Sequence, residues 1–133
     1  MLMTGIALLG LAGCSIGADK EAPPTAGARG ASEQVAVAVN ALNRAVQARD
    51  WRTLCDRLFT RAARRRAGGA DCVRLVRSSA GHLSGARVQL LAIELGHGSA
   101  QARVRSSAQG QAPLTDTITL RRSGGGYRID SLR

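Results

Sequence analysis

Hydrophobic residues change their spacing several times along this chain, and each spacing predicts a different kind of structure. Residues 5–12 form a continuous apolar run, too short to cross a bilayer as a permanent helix. Residues 15–31, rich in Gly, Pro and Ala, show no period and predict a flexible tether spanning roughly 20–25 Å. From Ser32 the pattern turns helical. Val35, Val37 and Val39 alternate as a strand would, but the run continues unbroken to Asp50, and Val35, Val39, Leu42 and Val46 fall at i, i+4, i+7 and i+11. Ser32 is placed to cap this helix, with Glu33 in its first turn. Asp50 predicts the cap of a second helix, in which Trp51, Leu54, Cys55, Leu58 and Phe59 make the clearest amphipathic stripe of the chain. Thr60 predicts the start of a short basic helix over residues 61–67, ended by Gly68 and Gly69. Asp71 opens a fourth, with Cys72, Leu75, Val76 and Ser79 expected to face inward until Gly81 stops it.

Beyond Gly85 the period is that of strands. In residues 87–95 the inward set switches from Val88 and Leu90 to Leu91, Ile93 and Leu95, and such a parity change predicts a β-bulge. Gly96, His97 and Gly98 mark a turn, after which Ala100, Ala102 and Val104 alternate with Gln101, Arg103 and Arg105. Residues 109–113 read as a loop. Residues 114–122 set Leu114, Asp116, Ile118 and Leu120 against threonines and Arg121, and a last strand after the glycines at 124–126 places Tyr127 and Ile129 on one face. Helices followed by an antiparallel meander predict an α+β domain, with the helices packed on one face of a curved four-stranded sheet.

Composition narrows the partners. The 133 residues carry a net charge of +10, and all but one of the 19 Lys and Arg residues are arginine. The aromatic residues are Trp51, Phe59 and Tyr127, too few for a base-stacking platform, so no nucleic-acid partner is expected. Arg57, Arg61, Arg64, Arg65, Arg66, Arg74 and Arg77 crowd into one stretch whose only acids are Asp56 and Asp71. Either this is a solvated helix face or it meets an anionic lipid surface or wall polymer.

The apolar run closes on Leu11-Ala12-Gly13-Cys14, which resembles a bacterial lipobox, although Met1 to Thr4 include no cation. The resemblance implies a signal peptide over residues 1–13, a diacylglyceryl thioether on Cys14 and a protein held at the extracytoplasmic face of the bacterial cell membrane. Residues 14–31 would then be the lipidated tether and residues 32–133 one domain of about 100 residues, enough for a single core. In such a compartment the two other cysteines, Cys55 and Cys72, predict one disulfide joining the second helix to the fourth. A metal site needs more ligands than these, and His82 and His97, both in turns, have no partner at a recognised spacing. No metal and no cofactor are expected.

Asp50-Trp51, Cys55, Leu58, Cys72 and the closing Gly125-Gly126-Tyr127-Arg128-Ile129-Asp130 resemble small bacterial lipoproteins of the nuclear transport factor 2-like superfamily. The likeness spans residues 32–133 and implies a cone, a bent sheet wrapped around helices, often with an internal cavity. It does not imply a reaction, since that fold carries isomerases, cyclases, dehydratases and non-catalytic modules. Its enzymes place Asp, His or Tyr in the cavity, and strand parity here offers Asp116, with Tyr127 on the next strand. Two functions therefore stand at this point. One is a lipid-anchored accessory module that engages an envelope protein or a small apolar ligand. The other is a small-molecule enzyme of the ketosteroid isomerase or polyketide cyclase type, using Asp116 as base.

Overall fold

A computed structural model describes residues 26–132, with side chains from Arg29 onward. The lipobox, Cys14 and most of the tether lie outside the described residues. Helix α1 (Ala26–Ala48) is followed by a single helical turn, α2 (Trp51–Thr53), which continues as a π-helical turn over Leu54–Leu58. Next come α3 (Arg61–Arg66), a 3-10 turn (Gly69–Asp71) and α4 (Cys72–Ala80). Strands β1 (Arg87–Leu95), β2 (Ser99–Ala108), β3 (Gln111–Ser123) and β4 (Gly126–Leu132) form one antiparallel sheet in the order β1-β2-β3-β4. The domain is α+β.

Helix α1 begins six residues before Ser32, so Ser32 is not a cap and Glu33 is not in the first turn. The reason lies in Ala31, which is buried one turn before Val35 and extends the same stripe through Ala38, Val39, Leu42 and Ala45. The helix ends in a left-handed residue, Arg49, at φ 56°. The Asp50 amide folds back to donate to the Ala45 carbonyl at 2.8 Å.

Asp50 caps α2 as expected, its carboxylate accepting from the Thr53 amide at 3.1 Å and the Thr53 hydroxyl at 2.7 Å. Those hydrogen bonds hold its carboxyl below the usual range, with smaller help from Arg57 and Arg52 against a small desolvation cost. The stripe that follows buries Trp51, Leu54, Cys55 and Phe59. Its final turn is π-wound, the Phe59 amide donating to the Leu54 carbonyl. Phe59 itself is extended and bridges Ile129 in parallel, so the helical layer is stitched to the edge of β4. Thr60 caps α3, accepting from the Ala63 amide at 3.0 Å. Gly68, at φ 123°, ends the turn beneath Leu75, where a Cβ would collide with the leucine methyl.

The expected inner face of α4 is corrected by this arrangement. Leu75 is drawn over Gly68 and stays 40% exposed, and Ser79 is exposed with its hydroxyl donating to the Leu75 carbonyl. Cys72 and Val76 face inward as expected, and Val73 and Ala80 rather than Leu75 and Ser79 complete the packed side, set by the disulfide between Cys72 and Cys55, whose Cα atoms lie 6.1 Å apart.

The bulge in β1 falls between Leu90 and Ala92. Val88, Leu90 and Ile93 pack inward, whereas Leu91, expected inside, is the displaced residue and is exposed; Leu95 is exposed at the strand end. In β2 the alternation holds, with Ala100, Ala102 and Val104 buried. Strand β3 begins at Gln111, so residues 111–113 are not a loop; the register breaks there, where Pro113 has no amide to offer. A further irregularity opposite Thr119 and Leu120 leaves Asp130 as the extra residue of β4. The core lies between α1, the α2 turn and the inner face formed by Ile118, Leu120, Tyr127 and Ile129.

Candidate functional site

The sheet's inner face runs out of large side chains at one end. Val104 and Ile118 fill the middle, but the next inner positions hold Ser106 on β2 and Asp116 on β3. Among the described residues the β3–β4 pairing runs as far as Ile118 opposite Leu132 and does not include Asp116. From the helices, Ala67 and Ala80 contribute little volume. The result is a cavity of about 490 Å³ whose walls are largely apolar, lined by Trp51, Leu54, Val76 and Leu132 among others. A second apolar recess of about 270 Å³ adjoins it along Val46, Ala80 and Val88 and reaches Leu114. Leu114, expected on the inner face, is 63% exposed because the helical layer does not extend that far.

Asp116 is half-buried, and among the described residues its carboxylate has no hydrogen-bond or ion-pair partner. Tyr127 does not join it. It pairs with Arg122, six residues along β3 from Asp116 and so about 20 Å away at strand rise. There its ring is covered by the Arg122 guanidinium at 5.6 Å, and its hydroxyl accepts from Arg122 at 3.4 Å. The expected pairing of an acid and a base in one cavity is therefore corrected: the tight turn between β3 and β4 pairs Ser123 with Gly126 and so sets Tyr127 opposite Arg122, far from Asp116.

A second polar centre was not foreseen. Asp130, with a side chain 16% exposed, accepts from the Thr60 hydroxyl at 2.8 Å and from Arg121 Nε at 3.1 Å, and lies 3.9 Å from the Arg66 guanidinium. Arg66 also donates to the Asp130 backbone carbonyl. The Thr60 hydrogen bond, opposed by burial and reinforced by Arg121 and Arg66, holds the Asp130 carboxyl below its usual range. The sequence signal was the bulge, unreadable without the pairing.

Of the seven clustered arginines, Arg64 pairs with Asp56 at 3.1 Å, Arg74 with Asp71 at 3.4 Å, and Arg66 with Asp130. The distant Asp130 thus absorbs one cation that the local acids could not. Arg57, Arg61, Arg65 and Arg77 are exposed and have no carboxylate within 4.0 Å among the described residues. His82 and His97 are exposed in turns, and no cluster of three metal-binding side chains exists among the described residues. No described helix is long and apolar enough to cross a membrane.

One polar groove of about 500 Å³ runs between α1 and the outer edge of β1, lined by Asn40, Asn43 and Gln47. There the Asn43 side chain accepts from the Val88 amide at 2.8 Å, satisfying an edge group of β1. Comparison with family models, with characterised proteins and with solved structures finds no match to this chain.

Proposed function

We propose that this chain is a lipid-anchored, extracytoplasmic binding module of the cell envelope, built as a nuclear transport factor 2-like cone and working by holding a small apolar ligand rather than transforming it. The observation that carries the reading is the apolar cavity of about 490 Å³ between helices and sheet, which is of the size that encloses small molecules. The separation of Asp116 from Tyr127 removes the acid and base pair on which the enzyme reading relied. A disulfide between Cys55 and Cys72 suits an exported protein.

Trp51, the chain's one tryptophan, lines the cavity and reports on it. Titration of the full chain with the neutral fluorophore N-phenyl-1-naphthylamine should quench Trp51 and saturate at one probe per chain. Ala80→Phe, which adds a large side chain to the cavity wall, should abolish the quenching while the melting transition remains cooperative. A signal that does not saturate, or unchanged binding by that variant, would overturn the proposal.

A second reading rests on Arg57, Arg61, Arg65 and Arg77, the exposed guanidinia that have no ion pair among the described residues. Near an anionic surface each adds roughly 1 kcal/mol, so they orient a domain that an anchor already confines.

A further inference from the structure

Four described carboxylates, Glu33, Asp50, Glu94 and Asp116, have no cation within 4.0 Å, and Asp50 is taken up in capping Thr53. Glu33 and Glu94 are exposed, where water serves them well. Asp116 differs: it is half-buried in the cavity wall, beside Val104 across the strand pair, and no guanidinium lines that cavity. In a chain with a net charge of +10, an acid left without an arginine stands out electrostatically. A carboxylate at the edge of an apolar cavity, partly screened from water and given no protein partner among the described residues, keeps its acceptor sites free for a ligand. A ligand that brings a cation to this position supplies the missing interaction, and a charge-assisted hydrogen bond there is among the stronger ones available.

We infer that the ligand of the cavity is a cationic amphiphile, an apolar chain or ring system bearing an amine, with the ammonium at Asp116 and the apolar body against Trp51, Leu54 and Val76. Ser106, on the neighbouring strand and also lining the cavity, offers a hydroxyl oxygen as a second acceptor for the same head group. The adjoining recess toward Leu114 gives the apolar body room to extend, with Arg87 at its margin. Arg87 makes an anionic head group the natural competitor. The inference rests on the apolar-ligand reading above and adds the head group.

The test uses one tail with three heads: octylamine, 1-octanol and octanoate, each titrated below micelle formation into the full chain with Trp51 fluorescence as readout. Octylamine should bind at least tenfold more tightly than octanol, against the repulsion of the chain's net positive charge, and octanoate should bind more weakly than octylamine. Asp116→Asn should bring octylamine to the affinity of octanol and leave octanol unchanged. Equal affinities for amine and alcohol in the wild-type chain, or tighter binding of octanoate, would overturn the cationic head group while leaving the apolar cavity in use. Weakening of all three ligands together by Asp116→Asn would reduce Asp116 to a structural residue and overturn the inference as well. If none of the three perturbs Trp51, the apolar-ligand reading itself fails.

Discussion

Cys55 and Cys72 are each almost fully buried, at 1% and 0% exposure, and lie 17 positions apart. Closing a loop of that length removes about 10 cal/mol/K of entropy from the unfolded chain, a stabilisation of about 3 kcal/mol at 25 °C. For a domain of about 100 residues this corresponds to a fall of roughly 12–18 °C in Tm when the link is lost. The substitution matters. A Cys55→Ala, Cys72→Ala pair removes the link while leaving the site apolar, whereas the serine pair adds two buried hydroxyls at a cost of about 1–3 kcal/mol each where they find no partner. Urea unfolding followed by circular dichroism should therefore rank wild type above the alanine pair and the alanine pair above the serine pair. Wild type under a thiol reductant should fall toward the alanine pair, and the alanine pair should be insensitive to reductant. The denatured chain also expands once the link is gone, so m should rise slightly. A loss below about 1 kcal/mol for the alanine pair would refute the entropic argument. Alkylation of either thiol in natively folded protein, seen by intact mass, would refute the link itself.

Asp130→Asn should cost about 1–3 kcal/mol at neutral pH by weakening the contacts to Thr60, Arg121 and Arg66. Because Asp130 titrates below its ordinary 3.8 in the fold, its contribution is complete above that value and is lost as pH falls through the lower folded value. The variant's stability should accordingly fall less steeply in acid than that of wild type, as urea midpoints at stepped pH would record. Cys14→Ala should leave an unprocessed precursor without diacylglycerol, read by mass spectrometry of membrane fractions; wild-type protein cleaved elsewhere and found soluble would end the lipoprotein reading. Replacing Arg57, Arg61, Arg65 and Arg77 together with Gln should weaken co-sedimentation of the full chain with anionic vesicles at low salt, without lowering Tm. Equal co-sedimentation of both forms would make these residues a solvated face only.

The sequence pattern was legible wherever one element's own period decided the outcome. The stripe of α2, the caps at Asp50 and Thr60, the bulge in β1 and the alternation in β2 each depend on near neighbours, and each stands as the spacing implied. What could not be read required knowing what lay opposite. Ser32 has every property of a cap, yet Ala31 finds a place in the core and carries the helix past it. Leu75 is as apolar as Val76, but Gly68 offers it a seat outside the core. Asp116 could be placed on the inner face by parity alone. That it opens into an apolar cavity depends on which helical side chains stand opposite it, Ala67, Val76 and Ala80 among them, which is a property of packing rather than of composition.

The sheet is assembled wholly from consecutive hairpins, β1 with β2, β2 with β3 and β3 with β4. Each closes a short loop, so the sheet is able to zip without waiting for the helices. The stitch between Phe59 and Ile129 is different, because it joins positions 70 apart and closes the ring of helices onto the last strand. The entropy of that closure is recovered only once both layers exist. Weakening the stitch from the helical side, at Thr60, would thus leave the speed of folding nearly unchanged and shorten the lifetime of the folded state, so this seam sets how long the domain endures once made.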